Sequence, residues 1–287
     1  MSYDLFLGDR TFSSWSLRGW LMFEKFGIPV NSHMVGLYDG TLAEDLSELA
    51  PARLVPAMRT PDGIVIGETL AMAETLAERH PEAQMWPADP AARALARWLA
   101  AEMHAGFSAL RNECPMQLLH QYDMSPSDAV KKDLSRLAEL WALARTKYGN
   151  TGPWLFGKYS LADAFYAPVA ARIAGYGLPV RPLMQQYVET TLSDPAFRRW
   201  RAMGLTKTYD PVPYAMDLPT RAWPGPQGLP AQPVETGTPE NASCPYSGGA
   251  ITHMADFGGR IFGFCNAFCR DKTVNDPMAW PKFAALL

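Results

Sequence analysis

A chain of 287 residues with 48% hydrophobic side chains is long enough for a two-part globular body plus a small appendix, and apolar enough to bury a substantial core. Its net charge of −3 excludes a general nucleic-acid surface, and no apolar run approaches the length needed to cross a membrane. Only four cysteines occur, and Met1-Ser2-Tyr3-Asp4 lacks the basic start of a secretory leader, so disulfides are disfavoured and a cytoplasmic location is expected.

The first predicted element is a short strand, Tyr3-Asp4-Leu5-Phe6-Leu7. Beyond it Thr11-Phe12-Ser13-Ser14-Trp15-Ser16-Leu17-Arg18 leads into a helix in which Leu17, Trp20, Leu21, Phe23 and Glu24 recur at helical spacing. A serine at that junction either caps the free N–H groups of the helix or aims its hydroxyl outward with the positive end of the helix dipole behind it, where a small anionic group can sit. Arg18 orients this loop, pairs with a carboxylate, or is a solvated helix charge. Farther on, Val55-Pro56 stands directly before a strand; Pro56 is either an ordinary edge-strand proline or a cis-proline that turns the preceding backbone toward a ligand. Asp62-Gly63 is a hairpin signal, followed by the apolar run Ile64-Val65-Ile66 and by Gly67-Glu68-Thr69, which opens a helix through Leu70, Ala71, Met72, Leu76 and Ala77. The carboxylate and hydroxyl at that start either hold the amine and carboxylate of a bound peptide or express a plain N-terminal charge preference.

In this order, a strand, a serine cluster, a helix, a Val-Pro pair and a Glu-Thr pair within about eighty residues, residues 1 to about 205 resemble a cytosolic glutathione transferase. The Ser-Ser-x-Ser-x-Arg pattern is most similar to the zeta-like serine-type members, although Trp15 stands where those members often have Cys. The resemblance implies a thioredoxin-like α/β domain over residues 1–80, a linker over 81–90 and an all-α helical domain over 91–205. It also implies a catalytic role for Ser13, with Ser14 the alternate, backbone contact from Val55 beside Pro56 to the cysteinyl part of glutathione, and a hold on the glutamyl part by Glu68 and Thr69. Glutathione is then the co-substrate, a small electrophile the second substrate, and a homodimer the expected assembly. The alternative is a noncatalytic glutathione-binding or metal-responsive protein. The chemistry follows from ionisation. A free thiol has a pKa near 8.5 and is mostly protonated at neutral pH, so one donated hydroxyl and a helix N-terminus that lower the pKa by about 2 would supply the nucleophilic thiolate. With Ser13-Ser14-Trp15-Ser16 where a thioredoxin has two cysteines, the reactive sulfur must come from the ligand.

The linker assignment rests on His80 to Pro90, which interrupts any helix three times. Leu95, Leu99, Met103, Gly106 and Leu110 then form one apolar stripe, and Leu134, Leu137, Ala138, Trp141 and Leu143 predict another long helix. Trp98, His104 and Phe107 either line a pocket for an apolar electrophile or belong to the core, the commoner place for aromatics at this spacing. Ser160-x-x-Asp163 is a capping box with a structural role, and Cys114 is a packed thiol.

Residues 206–240 carry eight prolines between Pro211 and Pro239 and are predicted to be an extended connector without regular helix or sheet; it is disordered or wraps over the body through Tyr214, Leu218 and Trp223. The appendix, residues 241–287, holds three cysteines. Cys265 and Cys269 share one face of a helix predicted over Asn266 to Val274, and a hairpin at Gly258-Gly259 brings Cys244 toward them, so three thiolates can meet one soft cation. The other reading of these cysteines is small apolar packing or a disulfide between two of them. The spacing resembles the YHS and TRASH family of small metal-binding modules. That resemblance implies a metal, Zn by default or Cu(I), acting as a staple for a tail with little core of its own, and His253, Asp256 or Asp271 are the candidates for a fourth ligand.

Overall fold

The computed structural model describes residues 2–207 and 214–287. Their contacts divide them into two units, residues 2–192 with 214–224, and residues 193–207 with 225–287.

In the first unit, β1 (Tyr3–Leu7) buries Tyr3, Leu5 and Leu7 and occupies an inner position of a four-stranded sheet of order β2-β1-β3-β4. A crossover through α1 (Ser14–Glu24) brings β2 (Val30–Met34) in parallel to β1, and the chain passes a short α2 (Leu42–Asp45) on its way to β3 (Ala57–Arg59). β3 runs antiparallel to β1 and pairs with β4 (Val65–Ile66) through the Asp62-Gly63 turn, where Gly63 takes a φ of 90° that favours glycine. α3 (Thr69–Arg79) completes a thioredoxin-like α/β arrangement, and the Val55–Pro56 peptide is cis.

The helical part of this unit comprises α4 (Pro90–Ala105), α5 (Ser108–Glu113), α6 (Asp128–Tyr148), α7 (Leu161–Gly175) and α8 (Pro182–Ser193). The stripe from Leu95 to Leu110 does not lie on one helix. The chain leaves α4 at Gly106, where a Cβ would come within 2.8 Å of the Glu102 carbonyl oxygen, Phe107 adopts φ 59°, and α5 starts afresh. α7 is buried at every residue and packs against α1 and α4. Its Ser160–Asp163 capping box is complete, and the Asp163 carboxylate accepts four hydrogen bonds, from the backbone N–H groups of Leu155 and Ser160 and the hydroxyls of Ser160 and Tyr187. Burial nonetheless lifts its carboxyl to about 6, against the pull of those donors. Among the described residues no helix is long and apolar enough to cross a membrane.

The proline-rich connector departs from expectation. Residues 208–213 lie outside the described residues, but β5 (Gln121–Tyr122) pairs with β6 (Thr220–Arg221), and Trp223 is buried against Gly175. Farther along, β7 (Ala231–Val234) forms an edge strand that includes Pro233, a position where a missing N–H is tolerated.

The second unit combines α9 (Pro195–Gly204) with β7, the hairpin of β8 (His253–Phe257) and β9 (Arg260–Phe264), α10 (Ala267–Asn275) and α11 (Pro281–Ala284). Gly258 and Gly259 take φ 67° and 93°, the pair of positive values that a tight hairpin of this hand requires. The tail is not short of core. Phe257, Phe262, Phe264 and Phe283 pack ring to ring, with centroids 4.6 Å apart for Phe257 and Phe283, and Arg198 clasps Asp276 through two hydrogen bonds of 2.8 and 2.6 Å.

Candidate functional site

The local sequence at the start of α1 decides what the two serines can do. Ser13 is the N-cap: its backbone is extended, its Oγ accepts from the Ser16 N–H at 3.3 Å, and its hydroxyl donates to Ser16 Oγ at 2.9 Å. Ser14 occupies the first turn, and its Oγ accepts from Arg172 Nη2 at 3.4 Å. Both serines are buried, and the first turn carries no acidic side chain, so nothing in that turn neutralises the positive end of the dipole.

Two cavities adjoin this point and share Trp15, Leu54 and Val55. The smaller, about 290 Å³, is lined by Val55, Pro56, Glu68, Thr69 and His104. Here Glu68 caps α3, accepting from the Leu70 and Ala71 N–H groups at 2.9 and 3.0 Å, while its other oxygen accepts from the Thr69 hydroxyl at 3.3 Å and lies 3.3 Å from His104 Nε2. The larger, about 530 Å³, is lined by Ser13 and Ser14 together with Phe12, Arg111, Asn112 and Arg172. The four residues expected to hold a peptide therefore share one cavity, and the two candidate catalytic serines open into the next.

Three guanidinium groups surround Trp15 and Ser14. Arg18 is fully buried, donates from Nε to the Phe165 carbonyl at 3.2 Å and lies 4.2 Å over the Trp15 ring; Arg111 lies over the same ring at 4.6 Å. Arg18 is thus neither a solvated charge nor half of an ion pair. Among the described residues no carboxylate pairs with Arg18, Arg111 or Arg172. Burial pushes the Arg18 guanidinium well down from its ordinary value, with further pressure from Arg111 and Arg172, and burial followed by Arg111 brings Arg172 down to about 10. Glu68 offsets Arg18 only weakly and without an ion pair, and Arg111 and Arg172 carry positive charge with no carboxylate partner, which favours bound anions. No motif marks Arg111, Asn112 or Arg172, because a lone polar residue on a helix reads as surface until the fold shows which face it occupies. Of the aromatic group weighed for a pocket, His104 reaches the smaller cavity, whereas Trp98 is half exposed and bonded to Glu102, and Phe107 is buried.

Residues 12–79 match the glutathione S-transferase N-terminal domain family. Maleylacetoacetate isomerase of Mus musculus is 32% identical over 186 residues, covering 60% of this chain and 79% of the mouse protein. The chain belongs to the glutathione S-transferase family. The Rattus norvegicus maleylacetoacetate isomerase is 27% identical to this transferase over 181 residues, with the same coverages of 60% and 79%. Among solved structures, a Burkholderia glutathione transferase homologue with bound glutathione superposes with a TM-score of 0.54 at 22% identity, covering 71% of this chain and 98% of that one. Glutathione transferase Omega 3C from Trametes versicolor also gives 0.54, at 20% identity, over 75% and 92%. The transferase is accordingly a glutathione-dependent enzyme on a thioredoxin-like plus helical fold.

The second unit of this transferase brings Cys244, Cys265 and Cys269 together, with all three Sγ atoms within 4.8 Å of one another and Cys265 and Cys269 separated by 3.9 Å. Burial opposes ionisation of Cys244, but the backbone N–H groups of Ser247, Tyr246 and Cys265 outweigh it and bring the thiol down to about 6. Cys265 Sγ accepts from the Ser247 hydroxyl at 3.2 Å and from Asn266 Nδ2 at 3.4 Å. Among the described residues none of the fourth-ligand candidates joins the three sulfurs: His253 bonds to Thr252, Asp256 accepts from the Gly259 N–H, and Asp271 accepts from Arg270. Cys114 belongs to the helical part of the first unit, where it is buried, and burial pushes its thiol up to about 12.

Proposed function

We propose that the enzyme binds glutathione in the cavity of Val55, Pro56, Glu68 and Thr69, ionises its thiol at the start of α1, and presents the thiolate to a small electrophile that carries a carboxylate. The uncompensated guanidinium groups of Arg111 and Arg172 in the cavity beside the serines are the observation that carries this reading. A carboxylate there replaces lost hydration with charge-assisted hydrogen bonds, and the same positive field favours thiolate over thiol. In this reading Glu68 receives the ligand's ammonium group, the Thr69 hydroxyl turns from Glu68 Oε1 to the ligand's carboxylate, and the Val55 backbone pairs with the extended peptide.

The two serines divide the work. Ser13 spends its donor and its acceptor on Ser16 and sets the helix start, whereas Ser14 accepts from Arg172 and keeps its own proton for the sulfur. The relatives named maleylacetoacetate isomerase support glutathione-dependent addition and release on an unsaturated acid as the reaction type. In such a cycle the thiolate bonds to the alkene carbon and the π electrons move onto the conjugated carbonyl oxygen; their return expels the thiolate after rotation about the former double bond. Trp15 stands where zeta-like members often have cysteine, so any such cycle here runs without a thiol at that position. The test is turnover, with glutathione, of a conjugated cis-alkenoic acid against a neutral aryl halide; preference for the neutral compound would defeat the reading.

We also propose a cytoplasmic homodimer, and a second site in which Cys244, Cys265 and Cys269 bind a soft cation, Zn by default. The donor set fits: three convergent sulfurs, one already inclined to ionise, with N–H and O–H donors to spread the charge. A bound cation would cross-link the Cys244 loop, β9 and α10, and with three protein sulfurs it would keep one position for an exogenous ligand.

A further inference from the structure

We infer that Tyr214, which lies beyond the helical part of the first unit, is a specificity-determining residue of the electrophile cavity, forming with Phe12 and Tyr38 an aromatic wall that selects flat, unsaturated or aryl electrophiles. This deepens the glutathione-dependent reading and rests on it.

The argument begins with the anchoring of the segment. Residues 214–224 return to the first unit at four places: the Met216 N–H donates to the Tyr122 hydroxyl at 3.2 Å, the Asp123 N–H donates to the Pro219 carbonyl at 2.8 Å, β6 pairs with β5, and Trp223 is buried. So fixed, the segment places Tyr214 among the lining of the 530 Å³ cavity. Its ring stacks on Phe12 with centroids 5.3 Å apart and planes 30° apart, and its hydroxyl lies 2.7 Å from that of Tyr38, whose ring is 5.5 Å from Phe12 at 32°. Phe12 immediately precedes the N-cap Ser13, so the wall is continuous with the loop that carries the serines.

The Tyr38 and Tyr214 rings, 6.0 Å apart and tilted by 59°, flank Phe12 as one continuous aromatic surface, and such a surface favours a planar unsaturated guest, which can stack on it, over a branched or saturated one of equal size. The linked phenols also define the edge of the wall, since one donates to the other and each hydroxyl has its place fixed. No part of this wall is foreshadowed by the serine motif. Tyr214 is one of the three residues through which the sequence lets the connector wrap over the body, and the β5–β6 pairing returns the chain to the first unit beside it.

The test is calorimetric binding of two glutathione conjugates of matched size, S-benzylglutathione and S-(cyclohexylmethyl)glutathione, to the full chain and to its Tyr214→Ala and Tyr214→Phe variants. The wild type is expected to favour the aryl conjugate by about ten-fold. Tyr214→Ala should erase that preference by weakening the aryl conjugate more than the saturated one, and Tyr214→Phe, which keeps the ring and loses only the hydroxyl, should retain most of it. An aryl preference that survives Tyr214→Ala, or equal binding of the two conjugates by the wild type, overturns the inference and leaves glutathione binding standing. Failure of the wild type to bind either conjugate overturns the glutathione reading and this inference with it.

Discussion

Replacement of Arg172 by methionine separates a functional cation from a structural one. Its guanidinium is buried without a carboxylate partner and held at about 10, well below its ordinary value, by burial first and Arg111 second. At about 1.36 kcal/mol per pKa unit, that depression represents roughly 3 kcal/mol of destabilisation, present at every pH below the folded value and relieved only as the pH rises through it. Against this stand the hydrogen bonds of 2.9 Å to the Cys114 carbonyl and 3.3 Å to the Pro168 carbonyl, which with a charged donor are together worth about 3 kcal/mol. The two terms nearly cancel, so Arg172→Met should leave urea-unfolding stability within about 1 kcal/mol of wild type or slightly above it. Catalysis should respond otherwise: kcat/KM for a carboxylated electrophile should fall by roughly 30- to 100-fold, the loss of a buried charge-assisted pair, while a neutral electrophile loses only a few-fold through the contact to Ser14. Equal losses for the two substrates, together with a stability loss above about 3 kcal/mol, would show that Arg172 is a scaffold residue and would refute the reasoning.

The serines should respond differently to alanine. Ser13→Ala removes an N-cap and should lower stability by about 1 kcal/mol in denaturant unfolding, whereas Ser14→Ala should leave stability nearly unchanged and lower kcat by at least ten-fold. Asp163, lifted to about 6 by burial, binds its proton more tightly folded than unfolded, so its contribution to stability should decline by up to about 3 kcal/mol between roughly pH 4 and pH 6 and level off above. Urea unfolding should show that slope in the wild type and its absence in Asp163→Asn; the same slope in both would contradict the assignment. Cys265→Ser should reduce tightly bound metal, measured by mass spectrometry after dialysis, while leaving glutathione turnover intact.

The order of the first unit was legible because its turns and strands are local events: Asp62-Gly63 forms its hairpin and Val55-Pro56 precedes its strand as the residue types require. The capping box and the glycine hairpin of the tail were legible for the same reason. What escaped is non-local. Arg111 and Arg172 acquire meaning only when α5 and α7 bring them beside α1, and the proline-rich segment gains its short strands from partners such as Gln121–Tyr122, distant in sequence. Gly106 illustrates the intermediate case, since the apolar stripe continues in phase across a break between α4 and α5, at a position where the backbone passes too close to the Glu102 carbonyl for a side chain to fit.

The decisive quantity is the pKa of the glutathione thiol while bound, obtained by following thiolate ultraviolet absorbance of the complex across pH. We expect a value of about 6.5, against about 8.5 for a free thiol, and its return toward the free value when Ser13 and Ser14 are both replaced by alanine. An unshifted thiol in the wild-type complex, or the same depressed value in the doubly substituted enzyme, would mean that the hydroxyls at the start of α1 do not hold the sulfur in its ionised form.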